Sequence, residues 1–153
     1  MSGFIASGPS VGGHINSDPF WPSIDLDALR AAQRIDSSVS AARLETAVIA
    51  ATLNVNREFE TWRLAQQAFG YNTLADVPAN RVNGTSERVH LYLRAVHVAT
   101  SAEVCERYRN YDSTQSGIAK GDELSPTIDE YRRDLRWAVR DFLGISRSTV
   151  ELI

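Results

Sequence analysis

The chain has 153 residues, of which 43% are hydrophobic and 23% charged, and its formal net charge is −3. These values are typical of one globular domain, and the slightly acidic balance argues against a general electrostatic attraction to nucleic acid. No uncharged apolar run reaches the roughly 18 residues of a membrane span, and the first residues lack the basic-then-apolar order of a secretory signal, so we expect neither membrane insertion nor export.

Residues 1–23 predict an extended N-terminal arm. Glycine and proline recur in this segment, and no Asp, Glu, Lys or Arg precedes Asp18. Such a segment has no helical period and does not read as part of a core. It ends in Phe20-Trp21-Pro22, however, which is too apolar to remain in water. We therefore predict that Phe20 and Trp21 dock on another surface as interface residues.

Apolar residues that recur every three or four positions predict about four helices in residues 24–144. Their expected bounds are Leu26–Ile35 after the N-cap Asp25, Ala41–Phe69, from Thr85 or Ser86 to about Tyr111, and from Ser125-Pro126 to Gly144. Residues 71–84 and 112–123 are expected to be loops, and Asn54-Val55-Asn56 is the expected bend in the long second helix. The pattern contains no internal repeat and no pair of alternating strands. The predicted fold is all-α, a small antiparallel helical bundle.

The predicted organisation is an N-terminal arm (1–23), a helical domain (24–144) and a short C-terminal docking tail (145–153). The core is expected on the inward stripes of the second to fourth helices. Its predicted centre consists of Phe59, Trp62, Leu93, Val96, Leu135 and Phe142.

The residues that could carry chemistry do not converge in the sequence. His14 lies in the arm, and His90 and His97 share a helix face without two further metal ligands beside them. Cys105, the single cysteine, has no histidine close in sequence and no nucleophile motif around it. The glycines of the arm lack the Gly-Lys-Ser/Thr ending of a phosphate-binding loop. We therefore expect no catalytic residue, no metal, no cofactor and no enzymatic activity.

Three arginines of the predicted fourth helix, Arg132, Arg136 and Arg140, are spaced by four residues and share one face. Arg132 has Asp129 three residues before it, whereas Arg136 and Arg140 have no acid three or four residues away. Their partners would be another helix, another subunit, phosphate or water. A solvated stripe and a protein interface both fit this pattern, and the acids nearby make DNA a weaker candidate.

Residues 145–153 form a short tail with strand character. Val150, Leu152 and Ile153 are apolar and follow the predicted helix stop at Gly144. Val150 and Leu152 would share one face of an extended strand. Such a tail either pairs with the edge of a partner or packs on its own domain, and both alternatives stay open.

Five blocks of sequence occur in a characteristic order and spacing. They are Phe20-Trp21-Pro22-Ser23-Ile24-Asp25, Ala42-Arg43-Leu44, Leu74-Ala75-Asp76-Val77-Pro78, Glu106-Arg107-Tyr108-Arg109, and Thr127-Ile128-Asp129-Glu130 followed by Arg133-Asp134 and Arg136-Trp137-Ala138-Val139. In these blocks the chain resembles the head completion proteins (GPL family) of contractile-tailed phages over about residues 20–153. Each block alone is weak, but five in register are specific. The chain departs from the family pattern at Tyr131, where the family has Trp, and at the Leu135 position, and the N-terminal arm looks unrelated.

The resemblance implies a structural role late in virion assembly, without catalytic residues. Proteins of this kind bind beneath the portal protein after DNA packaging, stabilise the filled head and offer a docking surface to the tail terminator or completion protein. Portal vertices are twelve-fold, so the resemblance implies a ring of twelve copies. This chain would be made in the host cytoplasm and would lie at the head-to-tail joint of the virion, meeting DNA only as it passes through the channel.

The alternative function is a small helix-turn-helix DNA-binding protein. An excess of 15 arginines over a single lysine and the short break at residues 36–38 favour it. The net charge of −3 and the lack of a basic recognition helix argue against it.

Overall fold

The computed structural model describes residues 13–111 and 115–147, with side chains described in residues 13–107 and 128–147. In chain order the elements are β1 (His14–Ile15), β2 (Ile24–Asp25), α1 (Leu26–Ala32), α2 (Ala41–Glu58), α3 (Glu60–Ala68), a 3₁₀ turn (Leu74–Asp76), β3 (Arg81–Val82), β4 (Thr85–Ser86), α4 (Glu87–Tyr111) and α5 (Gln115–Leu143). The protein is predominantly α-helical, which confirms the predicted fold class.

Three helices begin at side chains that accept hydrogen bonds from their first turn. Asp25 accepts two backbone N–H groups of α1, at 2.9 and 3.0 Å. Ser40 accepts one from α2 at 3.3 Å, and Ser86 accepts one from α4 at 3.2 Å. These oxygens satisfy N–H groups that the start of a helix leaves without an intrahelical partner. The starts of α1, α2 and α4 therefore lie where the sequence predicts them.

Three helices end at a residue in the left-handed conformation. The φ angles are 55° at Arg34 after α1, 97° at Gly70 after α3 and 70° at Gly144 after α5. At each stop the following N–H donates to the carbonyl five residues earlier, at 3.0, 3.2 and 2.9 Å respectively. This hydrogen bond closes a helix and favours glycine at the left-handed position. Because Arg34 adopts that conformation without being glycine, α1 ends at Ala32 rather than at the predicted Ile35.

The predicted second helix is interrupted at Phe59, which separates α2 from α3. The bend expected at Asn54-Val55-Asn56 is therefore wrong, because those residues lie within regular α2. Phe59 still donates its N–H to the Val55 carbonyl at 3.2 Å, and its carbonyl accepts the N–H of Arg63 at 2.9 Å. The Phe59 side chain is fully buried, so the interruption coincides with an anchor in the core.

Helix α5 begins at Gln115, which corrects the predicted loop at 112–123 over residues 115–123. Pro126 consequently lies within α5 instead of in its first turn. A proline there removes one backbone hydrogen bond, but the stability of a long helix comes mainly from packing against its neighbours. Helix α5 makes its most extensive packing with α4. This tertiary packing outweighs the local Ser125-Pro126 start signal.

Helices α4 and α5 are antiparallel, as predicted for neighbours in a bundle. Glu106 of α4 binds Arg132 of α5, and Arg94 of α4 binds Asp141 of α5 at 2.9 Å. Later residues of α4 thus meet earlier residues of α5. Helix α2 packs on the same α4, which makes α4 the central helix of the described domain.

Two short antiparallel strand pairs were not predicted. β1 pairs with β2 and ties residues 13–25 into one unit, while β3 and β4 form a hairpin. The hairpin turn is Asn83-Gly84, and both residues have positive φ, 52° and 73°. This is the favoured two-residue turn between right-handedly twisted strands. The β3–β4 hairpin therefore includes part of the segment 71–84, which the sequence predicts only as a loop.

Phe20 and Trp21 lie in the core of the protein, where only 1% and 5% of their surface is exposed. The Phe20 carbonyl accepts the N–H of Leu74 at 2.8 Å, and Asp18 forms an ion pair with Arg63 at 3.3 Å. Residues 13–23 therefore pack on the helical domain rather than forming part of an extended arm. The predicted interface role of Phe20 and Trp21 is corrected, since a side chain covered by its own chain cannot also form an exposed contact.

The centre of the core is a cluster of aromatic rings from five parts of the chain. Its members are Phe20, Trp21, Phe59, Trp62, Tyr92 and Phe142. Trp21 stacks on Tyr92 at 4.6 Å between ring centroids, and Phe59 stacks on Phe142 at 4.0 Å. The Arg88 guanidinium lies 5.2 Å from the Trp62 ring and donates to the Phe142 carbonyl. Of the predicted core centre, Phe59, Val96 and Phe142 are buried, and Trp62, Leu93 and Leu135 pack against them from partly exposed positions.

Candidate interaction site

A groove of about 410 Å³ runs between α2 and α5, and we call it the α2–α5 groove. It is lined by Asn54, Val55, Glu58, Leu135, Arg136, Val139, Arg140, Leu143 and Ile145. The size falls within the range of about 300–1,000 Å³ that is usual for binding clefts. Its wall from α5 is mainly aliphatic, and its charged groups are two arginines and one glutamate. The described structure therefore offers an amphipathic groove with an excess of positive charge.

The three arginines of the predicted stripe have different environments. Arg132 of α5 forms an ion pair with Glu106 of α4, so the partner of this arginine is another helix of the same chain. Arg140 donates to the Ser146 carbonyl at 3.1 Å. Arg136 is exposed and has no hydrogen bond or ion pair to any residue that the structure describes. Of the three, Arg136 and Arg140 line the α2–α5 groove. The sequence spacing therefore identified two groove residues and one structural ion pair.

The side chain of Arg147 is held against another side of α5, away from the groove. Arg147 donates to Asp141 at 2.6 Å, and its guanidinium lies 4.7 Å from the centre of the Trp137 ring. Arg133 lies 4.8 Å from the same ring, so Trp137 is contacted by two arginines. Hydrogen bonds from Arg147 and then Arg94 lower the pKa of Asp141 below its usual range. These contacts hold the Arg147 guanidinium against α5.

A second apolar surface lies between β1 and α2. Ile49 and Leu53 are 42% and 61% exposed there, beside Ile15. Thr52 lines the same depression, and its buried hydroxyl has no hydrogen-bond partner within the described residues. Leu53 is the more exposed of the two α2 side chains and is available to pack against a neighbour. This surface was not predicted, because the apolar period of α2 indicates a single inward stripe.

Further large apolar side chains are exposed elsewhere. They are Leu64, Phe69, Val82 and Ile145, at 53%, 76%, 59% and 50%. Leu64 and Phe69 lie in and just after α3, Val82 lies in the β3–β4 hairpin, and Ile145 lies at the α2–α5 groove. Apolar side chains exposed singly are common on protein surfaces, whereas contiguous apolar patches mark contact sites.

The titratable residues singled out in the sequence lie apart from one another. The His90 imidazole nitrogen donates to the Val82 carbonyl at 2.8 Å, and His14 lies 3.9 Å from Asp25. Burial lowers the pKa of His97 and raises the pKa of the Cys105 thiol. Within residues 13–107 and 128–147, no group of three or more His, Cys, Asp or Glu side chains is arranged to hold a metal ion. None of the helices, as far as the structure describes them, is long and apolar enough to cross a membrane.

The predicted interface residues Val150, Leu152 and Ile153 lie outside the described residues. The groove residues that were not predicted from the sequence come from α2 and from the segment after α5. Asn54 and Glu58 are four residues apart and face the groove next to Val55. That spacing is the signal by which they could have been recognised as one face of a helix.

The described residues form a small helical domain whose candidate sites are a groove and an apolar depression on its surface. The family model for phage head completion protein (GPL) matches residues 15–153. The head completion/stabilization protein of Escherichia phage P2 is 39% identical over 134 residues, which cover 88% of this chain and 79% of the relative. No solved structure matches the chain. The chain belongs to the phage head completion protein (GPL) family, and it is a structural component of a phage virion with a role in head completion.

Proposed function

We propose that this protein is a non-enzymatic subunit of a ring that lies beneath the portal protein at the head-to-tail joint. The ring stabilises the DNA-filled head and provides the attachment surface for the tail. The observation that carries the proposal is the presence of separate exposed apolar surfaces on a chain of this family, the α2–α5 groove and the surface around Leu53. The family assignment also favours this function over the helix-turn-helix alternative.

A ring subunit requires two different surfaces for its neighbours. In a closed cyclic assembly of this kind one face of each copy binds the other face of the next copy, so the contact is heterologous. Two further surfaces are required for the portal protein above and the tail completion protein below. The exposed side chains of α2, of α3 and of the β3–β4 hairpin lie on different elements and provide such surfaces. A ring of twelve copies follows the twelve-fold symmetry expected of a portal vertex.

The charge of the chain is consistent with a channel that DNA traverses. A net charge of −3 disfavours lasting attachment to phosphates, so DNA slides past the ring instead of binding it. The proposed partners are thus other copies of the chain, the portal protein and a tail protein, with DNA only as the passing cargo. Synthesis takes place in the host cytoplasm, before incorporation into the virion.

The test is reconstitution with heads that lack this protein. DNA-filled heads are purified from a phage defective in the corresponding gene, incubated with the purified chain, and then mixed with tails. We expect added protein to preserve packaged DNA against nuclease and to restore infectious particles, and native mass spectrometry with isolated portal rings to give a complex containing twelve copies. Heads that leak DNA equally with and without the protein would contradict the proposal.

A further inference from the structure

We infer that the α2–α5 groove of one copy binds residues 148–153 of a second copy. The inference rests on the proposed function, because it names the contact through which copies associate. The groove contains aliphatic side chains from α5 together with Arg136 and Arg140, opposed by the single carboxylate of Glu58. Its occupant should therefore be a short apolar segment that carries an acidic residue.

Residues 148–153 have that chemistry. They contain Val150, Leu152 and Ile153 around a single acid, Glu151. The other segments outside the described structure differ from this pattern. Residues 1–12 contain no acid, and residues 112–114 contain no large apolar side chain. Among these three segments, charge complementarity to Arg136 and an apolar surface for the aliphatic wall are combined in residues 148–153 alone.

The position of Arg147 favours the groove of a neighbour over the groove of the same copy. Each residue of an α-helix turns about 100°, so Arg136, Arg140 and Leu143 fall within an arc of roughly 60° on α5. Trp137 and Asp141, which hold Arg147, are centred roughly 110° away around the same helix. The side chain of Arg147, the last described residue, therefore lies on a side of α5 away from the groove, whereas Ile145 and the Ser146 carbonyl lie at the groove. A second copy placed against the Arg147 side of α5 would bring its own groove within reach of residues 148–153.

This arrangement has the directionality of a ring contact. Each copy donates its tail to one neighbour and receives a tail from the other, so donor and acceptor surfaces differ as a heterologous assembly requires. The exposed guanidinium of Arg136 would then gain the partner that it lacks among the described residues of its own chain.

The test uses charge reversal in full-length chains. Arg136→Glu changes the groove, Glu151→Arg changes the tail, and self-association is measured by sedimentation velocity over a range of concentrations. We expect each single variant to weaken self-association about tenfold, because like charges are then brought together. An equimolar mixture of the two variants should associate as well as the wild type, because every tail then meets a groove of opposite charge on the other variant. Arg57→Glu, an exposed arginine of α2 outside the groove, is the matched control and should leave association unchanged.

Several outcomes would overturn the inference. They are a wild type that is monomeric at every concentration, single variants that associate normally, and a mixture that associates no better than its components. Circular dichroism of each variant excludes unfolding as the cause of a loss of self-association.

Head reconstitution separates this inference from the proposed function. If Arg136→Glu and Glu151→Arg chains complete heads and self-associate normally, the function stands and the groove contact is wrong. If wild-type chains self-associate through the groove but do not protect packaged DNA, the function is wrong and the contact stands.

Discussion

At the scale of single residues, α1 ends at a left-handed residue that is an arginine, although this conformation favours glycine. Arg34 has a φ of 55°, a conformation that costs a residue with a Cβ atom roughly 1–2 kcal/mol. The stops after α3 and α5 use glycine for the same hydrogen-bond pattern, and their positions were predicted correctly to within a residue or two. The stop at Arg34 was not predicted, because the left-handed conformation there is required only by the path of the chain from α1 to α2. Arg30 holds this path by donating to the Asp36 and Val39 carbonyls at 2.7 and 3.0 Å.

Replacing Arg34 by glycine should therefore stabilise the protein. The left-handed strain disappears, while the greater freedom of glycine in the unfolded chain offsets part of the gain, so we expect an increase of about 0.5–1 kcal/mol in the free energy of unfolding. Gly70→Ala should reduce it by about 1 kcal/mol, since no atom lies within 4 Å of the added Cβ and only the φ of 97° opposes it. Urea midpoints measure both changes. Equal midpoints for all three proteins would show that these stops carry no strain.

Residue type alone also does not distinguish an interface from a core. Trp21 and Phe69 are both large and apolar, yet 5% of Trp21 and 76% of Phe69 is exposed. We expect Trp21→Ala to lower the free energy of unfolding by about 3–5 kcal/mol, because it removes a ring stacked on Tyr92. Phe69→Ala should change it by less than about 0.5 kcal/mol. If the two substitutions have equal effects on the urea midpoint, the placement of residues 13–23 in the core is incorrect.

At the scale of elements, local signals specified where helices begin but not how they pack. Asp25 and Ser86 cap their helices as the sequence predicts, and Ser40 also caps α2, because an N-cap acts within three residues. The interruption at Phe59 depends on contacts with Trp21 and with α5, which no local pattern contains. The burial of Tyr92 was missed for a similar reason, since its hydroxyl finds a partner in Asn56 at 2.6 Å from another helix.

Asp141 connects α5 to Arg94 of α4 and to Arg147 after α5, and we expect its ionisation to make a pH-dependent contribution to stability. The hydrogen bonds from Arg147 and Arg94 lower the pKa of Asp141 in the folded protein relative to the unfolded chain. The ionised carboxylate therefore stabilises the fold above the unfolded pKa, and this contribution is lost as the pH falls through the folded pKa. Since these ion pairs are partly exposed, the contribution is at most about 1 kcal/mol.

Asp141→Asn should consequently lower the free energy of unfolding at neutral pH by up to about 1 kcal/mol. The difference from the wild type should shrink as the pH falls below the usual range of an aspartate, where both proteins lack the charge. Urea unfolding of both proteins at neutral and acidic pH measures this difference. Glu45→Gln, an exposed change of the same kind on α2, is the control and should show no such convergence. A difference that stays constant with pH would assign the effect of Asp141→Asn to packing instead.

At the scale of the whole molecule, the family could be predicted from the sequence, but the α2–α5 groove and the surface around Leu53 could not. The five blocks lie mostly in and beside elements that build the core, as Phe20 and Ile128 show by their burial. Close packing constrains the size and shape of core residues, so they identify a fold better than the residues of a contact surface do. The α2–α5 groove combines residues from two helices and from the segment after α5, and only the folded chain brings them together.

In the proposed assembly, residues 148–153 form a contact with a second copy. Deleting them should change the melting temperature by less than about 3 °C, the shift expected for roughly 1 kcal/mol in a domain of this size. The deletion should nevertheless abolish self-association and the protection of packaged DNA. Replacing the six residues by a Gly-Ser segment of equal length keeps the length but removes Val150, Leu152 and Ile153. If side chains in the groove carry the contact, this replacement should fail as completely as the deletion. If main-chain pairing carries it, the replacement should retain much of the association. A large drop in melting temperature on deletion would instead show that the tail packs on its own domain.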